Sequence, residues 1–216
     1  MSNDLQDGLK DTVLEATPTA TPLADPPVSP GARIGVGAAA LVAGVALLLL
    51  SALAGFGNFV VVQGLVTPGD AAGTAADISA SAGLFRLGVA ALYLAAVLDV
   101  VVAWALMRVF SGVHEDLSRF AAWLRLAYAG VFLVALAQLA GIPGLLDTSG
   151  YAAVTTAEQS QGQALLKVDS FEDIWFAGLV LFGLHLAVVG YLAYRSGFVP
   201  RVVGVLRASS RASSRK

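Results

Sequence analysis

Three side chains could do chemistry in surroundings that otherwise exclude it. Asp99, Arg125 and His185 each sit within a long apolar run of the 216-residue chain. A charged group at mid-bilayer depth costs roughly 2.5–3.5 kcal/mol on insertion scales, so each needs a partner or a purpose. A carboxylate and an imidazole at one level could relay a proton or hold a buried ligand, with the guanidinium as a third member. The opposite reading is a polar clamp: hydrogen bonds between helices contribute only about 0.6–2 kcal/mol, but they specify which faces meet. No second acidic residue continues a proton path, which favours the clamp.

Depth and direction sharpen the pairing. Counted at about 1.5 Å per residue from the nearest basic end, Asp99 lies about 13 Å deep, His185 about 15 Å and Arg125 about 9 Å. Cβ atoms tilt toward a helix N-terminus. The second and fourth apolar runs start on one side and the third on the other. Asp99 and His185 therefore lean the same way, while Arg125 can snorkel toward the nearer headgroups. An Asp99–His185 hydrogen bond is expected ahead of an Asp99–Arg125 ion pair, with a three-membered network also allowed.

A second polar group gathers on the outer side: Arg86 with Asp70, Asp77, Glu172 and Asp173. It reads as an anion or lipid-headgroup site, or as a salt bridge tying a connecting helix to the second span; the salt bridge is the preferred reading, because arginine at a span end commonly anchors at the interface. His114, beside Glu115 and Asp116, reads as solvated loop. Trp104, Trp123 and Trp175 lie toward span ends and read as interface anchors. No hydrolase elbow, zinc-protease helix or phosphate-binding loop occurs, so no catalytic residue, metal site or cofactor is assigned. The absence of cysteine excludes disulfides and thiolate chemistry.

The elements that must position these residues are membrane spans. Hydrophobic residues make up 57% of the chain and charged residues 13%, about half the charge of an ordinary soluble domain. Mean hydropathy is +0.77. The net charge of −2 argues against a nucleic-acid binder. Four runs are long enough to cross a bilayer: about 34–56, 84–110, 119–141 and 174–195. They form one all-α transmembrane bundle over 33–206, between a disordered acidic and proline-rich leader (1–32) and a basic tail (207–216). The small residues Gly37, Ala40 and Gly44 give the first span a close-packing face, and Gly88, Ala91, Ala95, Asp99 and Ala103 give one to the second. Thr67 is expected to cap an outer helix over 68–81. Residues 145–169 read as an interfacial or outer helix, and Ser170 to Asp173 as a capping box opening the fourth span.

Loop charge sets the orientation. Lys and Arg cluster in the leader, the 108–119 loop and the tail, which places both termini in the cytoplasm. The plasma membrane is the expected location, and an even span count agrees.

Several runs combine into a resemblance: Ala32-Arg33-Ile34, TPGDAAGTAADI from Thr67, GLFRLGVA from Gly83, Leu98-Asp99-Val100, LFGLHL from Leu181 and YLAYRSGFVPRVVGVL from Tyr191. Together they resemble the prokaryotic membrane-protein family called domain of unknown function 4386. The resemblance implies a small all-helical membrane protein with no assigned activity. It also marks Asp70, Arg86, Asp99 and His185 as matching the family's polar positions. Family members continue into further hydrophobic segments after the PRVVGVL run. Here the chain turns to RASSRASSRK, so a C-terminally shortened member is expected.

The expected function is that of a non-enzymatic integral membrane protein acting through packing, partners or lipid. A small oligomeric transporter or proton-coupled permease using the Asp99/His185 pair is the alternative, and a membrane enzyme the weakest reading. Expected partners are the lipid bilayer, a second copy or another membrane protein, and anionic lipid at the basic tail.

Overall fold

A computed structural model of the chain describes residues 35–147 and 155–197. The leader, Tyr151 and Val154 of the expected connecting helix, residues 198–206 and the basic tail lie outside these residues. Among the described residues there are five helices and no strand: α1 (Val36–Leu65), α2 (Ala71–Ala80), α3 (Ala82–Phe110), α4 (Glu115–Leu146) and α5 (Ala157–Arg195). All but α2 are long and apolar enough to cross a membrane. The all-α bundle expected from the sequence is what forms.

The four long helices pack as a row. α1 packs on α3, α3 on α4 and α4 on α5, whereas α1 and α5 make no comparable contact. Burial follows this order: half of the apolar window of α3 is covered, but only 17% of that of α1 and of α5. Leu41, Leu48, Val60, Trp123 and Val180 face outward from the bundle, as side chains in contact with lipid do.

α1 meets α3 through small residues, on a different face from the one expected. Gly37, Ala40 and Gly44 are exposed. The buried stripe is Ala39, Ala43 and Ala46, and it runs on into Gly57 and Val61. The helix passes through a π-helical segment, Phe56–Val62, whose wider turn re-registers the stripe. Here the backbones come closest. A methyl group at Gly57 would stand 2.6 Å from Leu92 Cγ and 2.8 Å from the Gly88 carbonyl oxygen. Asn58, beyond the expected end of the first span at about residue 56, is buried in this segment. On α3 the expected small face is buried: Gly88, Ala91, Ala95, Asp99 and Ala103.

The link to α2 is a tight turn rather than a helix start at Pro68. The Asp70 N–H donates to the Thr67 carbonyl at 3.0 Å, and Gly69 takes φ +77°. Proline followed by left-handed glycine is the type II pattern. The helix begins three residues later than expected, with Asp70 as N-cap accepting from the Gly73 N–H at 2.8 Å. Asp70 wins over Thr67 because Thr74 Oγ1 occupies the Thr67 backbone, accepting from its N–H at 3.0 Å and donating to its carbonyl at 3.2 Å.

α4 starts at Glu115, so the 114–116 segment is helix start rather than loop. His114 Nδ1 accepts from the Leu117 N–H at 3.3 Å. Glu115 and Asp116 occupy the first turn, where carboxylates are favoured, and both pair with Arg119. Ser118 Oγ donates to the Met107 carbonyl at 2.6 Å and locks the α3–α4 corner.

α5 is one unbroken helix of 39 residues, about 58 Å long at 1.5 Å per residue and nearly twice the roughly 30 Å hydrocarbon core. The expected outer helix and the fourth span are therefore continuous. The capping box stands at Thr156 and Gln159. Ser170 is mid-helix, and its hydroxyl donates back to the Leu166 carbonyl at 2.7 Å. The buried stripe explains the continuity: Ser160, Ala164, Val168, Phe171, Gly178, His185 and Leu192 keep one spacing across the expected boundary, so no change of face interrupts the helix. The N-terminal part of α5 packs on α2.

Candidate functional site

Asp99, Arg125 and His185 are buried to 4%, 2% and 1% exposure and are brought together from α3, α4 and α5. The order differs from the expected one. Arg125 lies in the middle, with Nη2 2.6 Å from Asp99 Oδ1 and Nη1 3.2 Å from His185 Nε2. No Asp99–His185 hydrogen bond forms, and Arg125 does not snorkel to the interface. The reason is charge. A buried carboxylate left without a counter-charge is the costliest arrangement of the three groups, and a guanidinium is the one partner here that stays ionised. The arginine's length bridges the difference of about 4 Å in depth.

The partners also set the form of His185. Arg125 can only donate, so Nε2 accepts. The Ala121 carbonyl can only accept, so Nδ1, 2.8 Å away, donates to it. The histidine is therefore assigned as the neutral tautomer with its proton on Nδ1. The Asp99 contact is ionic more than directional: Asp99 Oδ1 makes no aligned hydrogen bond, and neither does Arg125 Nε, among the described residues.

Aromatic rings enclose the cluster. The Arg125 guanidinium lies 5.4 Å from the centre of the Phe182 ring, and Phe182 contacts both His185 and Tyr128. Trp175 Nε1 donates to the Tyr128 hydroxyl at 3.1 Å, and Trp175 stacks on Phe171. Trp175 is thus part of the helix packing and not the interface anchor expected, whereas Trp104 and Trp123 remain exposed. Tyr128 and Phe182 were not singled out from the sequence, and Trp175 was read only as an anchor. Their signal was spacing: Phe171, Trp175, Gly178, Phe182 and His185 alternate in steps of four and three, the seam of two helices packed at a shallow angle.

Asp99 also reaches a cleft of about 270 Å³ between α1 and α5, whose lining includes Ser51, Asn58, Tyr128, Phe132 and Trp175. The cleft exists because the two end helices of the row do not pack together.

The outer group is not assembled. Asp70, Asp77, Arg86, Glu172 and Asp173 are all exposed, and no ion pair joins Arg86 to any of them among the described residues. The expected salt bridge fails because these carboxylates are spent or turned elsewhere: Asp70 caps α2, and Glu172 and Asp173 lie off the buried stripe of α5. No group of three or more histidine, aspartate or glutamate side chains is placed to hold a metal among the described residues.

Four long apolar helices packed in a row, the middle two joined by a buried ion pair, have the architecture of a polytopic α-helical membrane protein. More particularly, residues 42–212 match the model of the family described as Domain of unknown function (DUF4386), and the chain belongs to that family. It is 27% identical over 115 residues to an uncharacterized protein of Archaeoglobus fulgidus, a match covering 53% of this chain and 55% of that one. The chain thus spans about half the length of that relative. No solved structure matches.

Proposed function

We propose that the protein is a non-enzymatic, multi-pass protein of the plasma membrane, with both termini in the cytoplasm, in which Asp99–Arg125–His185 acts as a clamp ordering α3, α4 and α5. One observation carries this reading: Arg125 stands between Asp99 and His185. A guanidinium does not give up its proton in a protein, so it interrupts any relay between carboxylate and imidazole. His185 has both ring nitrogens engaged, which leaves neither free to serve as a base. The orientation rests on the distribution of Lys and Arg among the loops.

A second reading, a small transporter, is favoured by the cleft. A π-helical segment contributes Asn58 to its lining and Asp99 stands in its wall; such segments are frequent at functional sites. Proton flux decides between the two. In proteoliposomes loaded with a pH-sensitive dye, an imposed gradient is expected to decay at the rate of empty vesicles. A faster decay that His185→Ala abolishes, in protein that remains folded, would overturn the clamp. A reporter active only outside the cell when fused after Lys216 would overturn the orientation.

A further inference from the structure

Arg86 is exposed, without an ion pair among the described residues, and shared by two adjoining grooves. One, of about 200 Å³, has Ser79, Arg86, Pro143 and Asp147 in its lining. The other, of about 400 Å³, runs between α3 and α4 along Arg86, Val89, Tyr93, Leu139 and Pro143. The first has polar side chains where the second has mostly apolar ones, and the guanidinium stands at their junction.

The level of this junction in the bilayer is set by helix length. α3 has 29 residues, about 43 Å, so it exceeds a core of roughly 30 Å by about 7 Å at each end. Arg86 is the fifth residue of α3, about 6 Å from its start, which is the boundary between hydrocarbon and headgroup. A cation at that depth stands level with lipid phosphate, with the apolar groove reaching from it toward the bilayer centre along Val89 and Tyr93.

Charge narrows the lipid. Among the described residues, this end of the molecule carries two cations, Arg86 and Lys167, and Lys167 is engaged by Gln138 at 3.3 Å. Against them stand the exposed carboxylates Asp77, Glu158, Asp169, Glu172 and Asp173. A headgroup with net negative charge meets one favourable arginine in an acidic field. A headgroup holding both a phosphate and an ammonium fits both signs.

We propose that Arg86 and the two grooves form a binding site for one zwitterionic, amine-headed glycerophospholipid. The phosphodiester lies on the Arg86 guanidinium, the ammonium in the acidic surroundings and an acyl chain in the α3–α4 groove. This site is on a different face of α3 from the cleft and does not depend on the clamp.

Native mass spectrometry of the full chain, with phosphatidylethanolamine or phosphatidylglycerol added back after delipidation, tests it. The wild type is expected to retain one phosphatidylethanolamine at energies that strip phosphatidylglycerol. Arg86→Gln is expected to lose that adduct at least tenfold while keeping the wild-type melting temperature, since its side chain is exposed and makes no ion pair among the described residues. Ala90→Phe, which fills the groove and leaves Arg86 in place, is expected to lose it as well. Equal retention by Arg86→Gln would overturn the site, and stronger retention of phosphatidylglycerol would overturn the headgroup assignment. A dimer that dissociates in both variants, with no lipid adduct in the wild type, would show that a second copy occupies the surface and would likewise overturn the proposal.

Discussion

The outcome at Arg125 turns on which of two forces governs a buried arginine. Snorkelling lowers the cost of one cation, but it would leave Asp99 charged and alone in a helix interface. Breaking a buried pair by removing one partner is worth about 3–5 kcal/mol, because the other charge stays behind uncompensated. This fixes the expected outcome of mutation. Arg125→Met should lower the melting temperature in detergent severely, and Asp99→Asn should do so less, since the arginine keeps its contacts to His185 and the Phe182 ring. The double variant should be more stable than the sum of the single losses predicts, with a coupling of about 1–3 kcal/mol. Strictly additive losses would show that the two charges do not stabilise one another. The three residues themselves were legible in the sequence, because ionisable groups stand out in apolar runs. Their order was not, because depth along a helix says nothing of how far a flexible side chain reaches across it.

At the scale of elements, the sequence showed the helices clearly and their faces unevenly. α3 carries small residues on one face and bulky ones on the other, so its packing face could be read directly. α1 carries small residues on two faces, and the choice between them is made by the π-helical segment thirteen to nineteen residues beyond Ala43, which no periodicity announces. The two stripes separate by mutation. Gly88→Ala would drive a methyl group to within 2.5 Å of Val61 Cγ1, in a helix pair with no slack. Overpacking of this kind costs about 1–3 kcal/mol, and the loss should be read as easier unfolding in an SDS titration. Gly44→Ala meets nothing within 4 Å and should be neutral, or slightly stabilising through helix propensity. Equal effects at the two positions would mean that α1 does not seat on α3 through Gly57 and Gly88. The same limit applies to α5. Ser170 with Glu172 and Asp173 has the composition of a helix start, but the stripe from Ser160 to Leu192 keeps its register through that point, and the longer pattern prevails.

For the whole molecule, the consequence of a row in place of a closed ring is a cleft whose two lips, α1 and α5, do not pack on one another: α1 is held by α3, and α5 by α4 and, toward its N-terminus, by α2. Sequence could count the spans but could not show that the first and last stay apart, because nothing in either helix encodes a contact that is not made. Tryptophan fluorescence can observe the gap. Trp123 is 72% exposed on the outer face of α4, while Trp175 lines the cleft beneath its hydrogen bond to Tyr128. In vesicles whose acyl chains carry bromine, a variant retaining only Trp123 should be strongly quenched. A variant retaining only Trp175 should be quenched to a lesser but clear extent, because acyl chains enter from the side. Ala54→Phe, placed in the cleft lining, should then protect Trp175 and leave Trp123 unaffected. Absence of Trp175 quenching in the parent variant would mean that another helix closes the gap. Quenching that Ala54→Phe does not change would mean that bromine reaches the indole by a path outside the cleft, and the row would then have to be open on its other face.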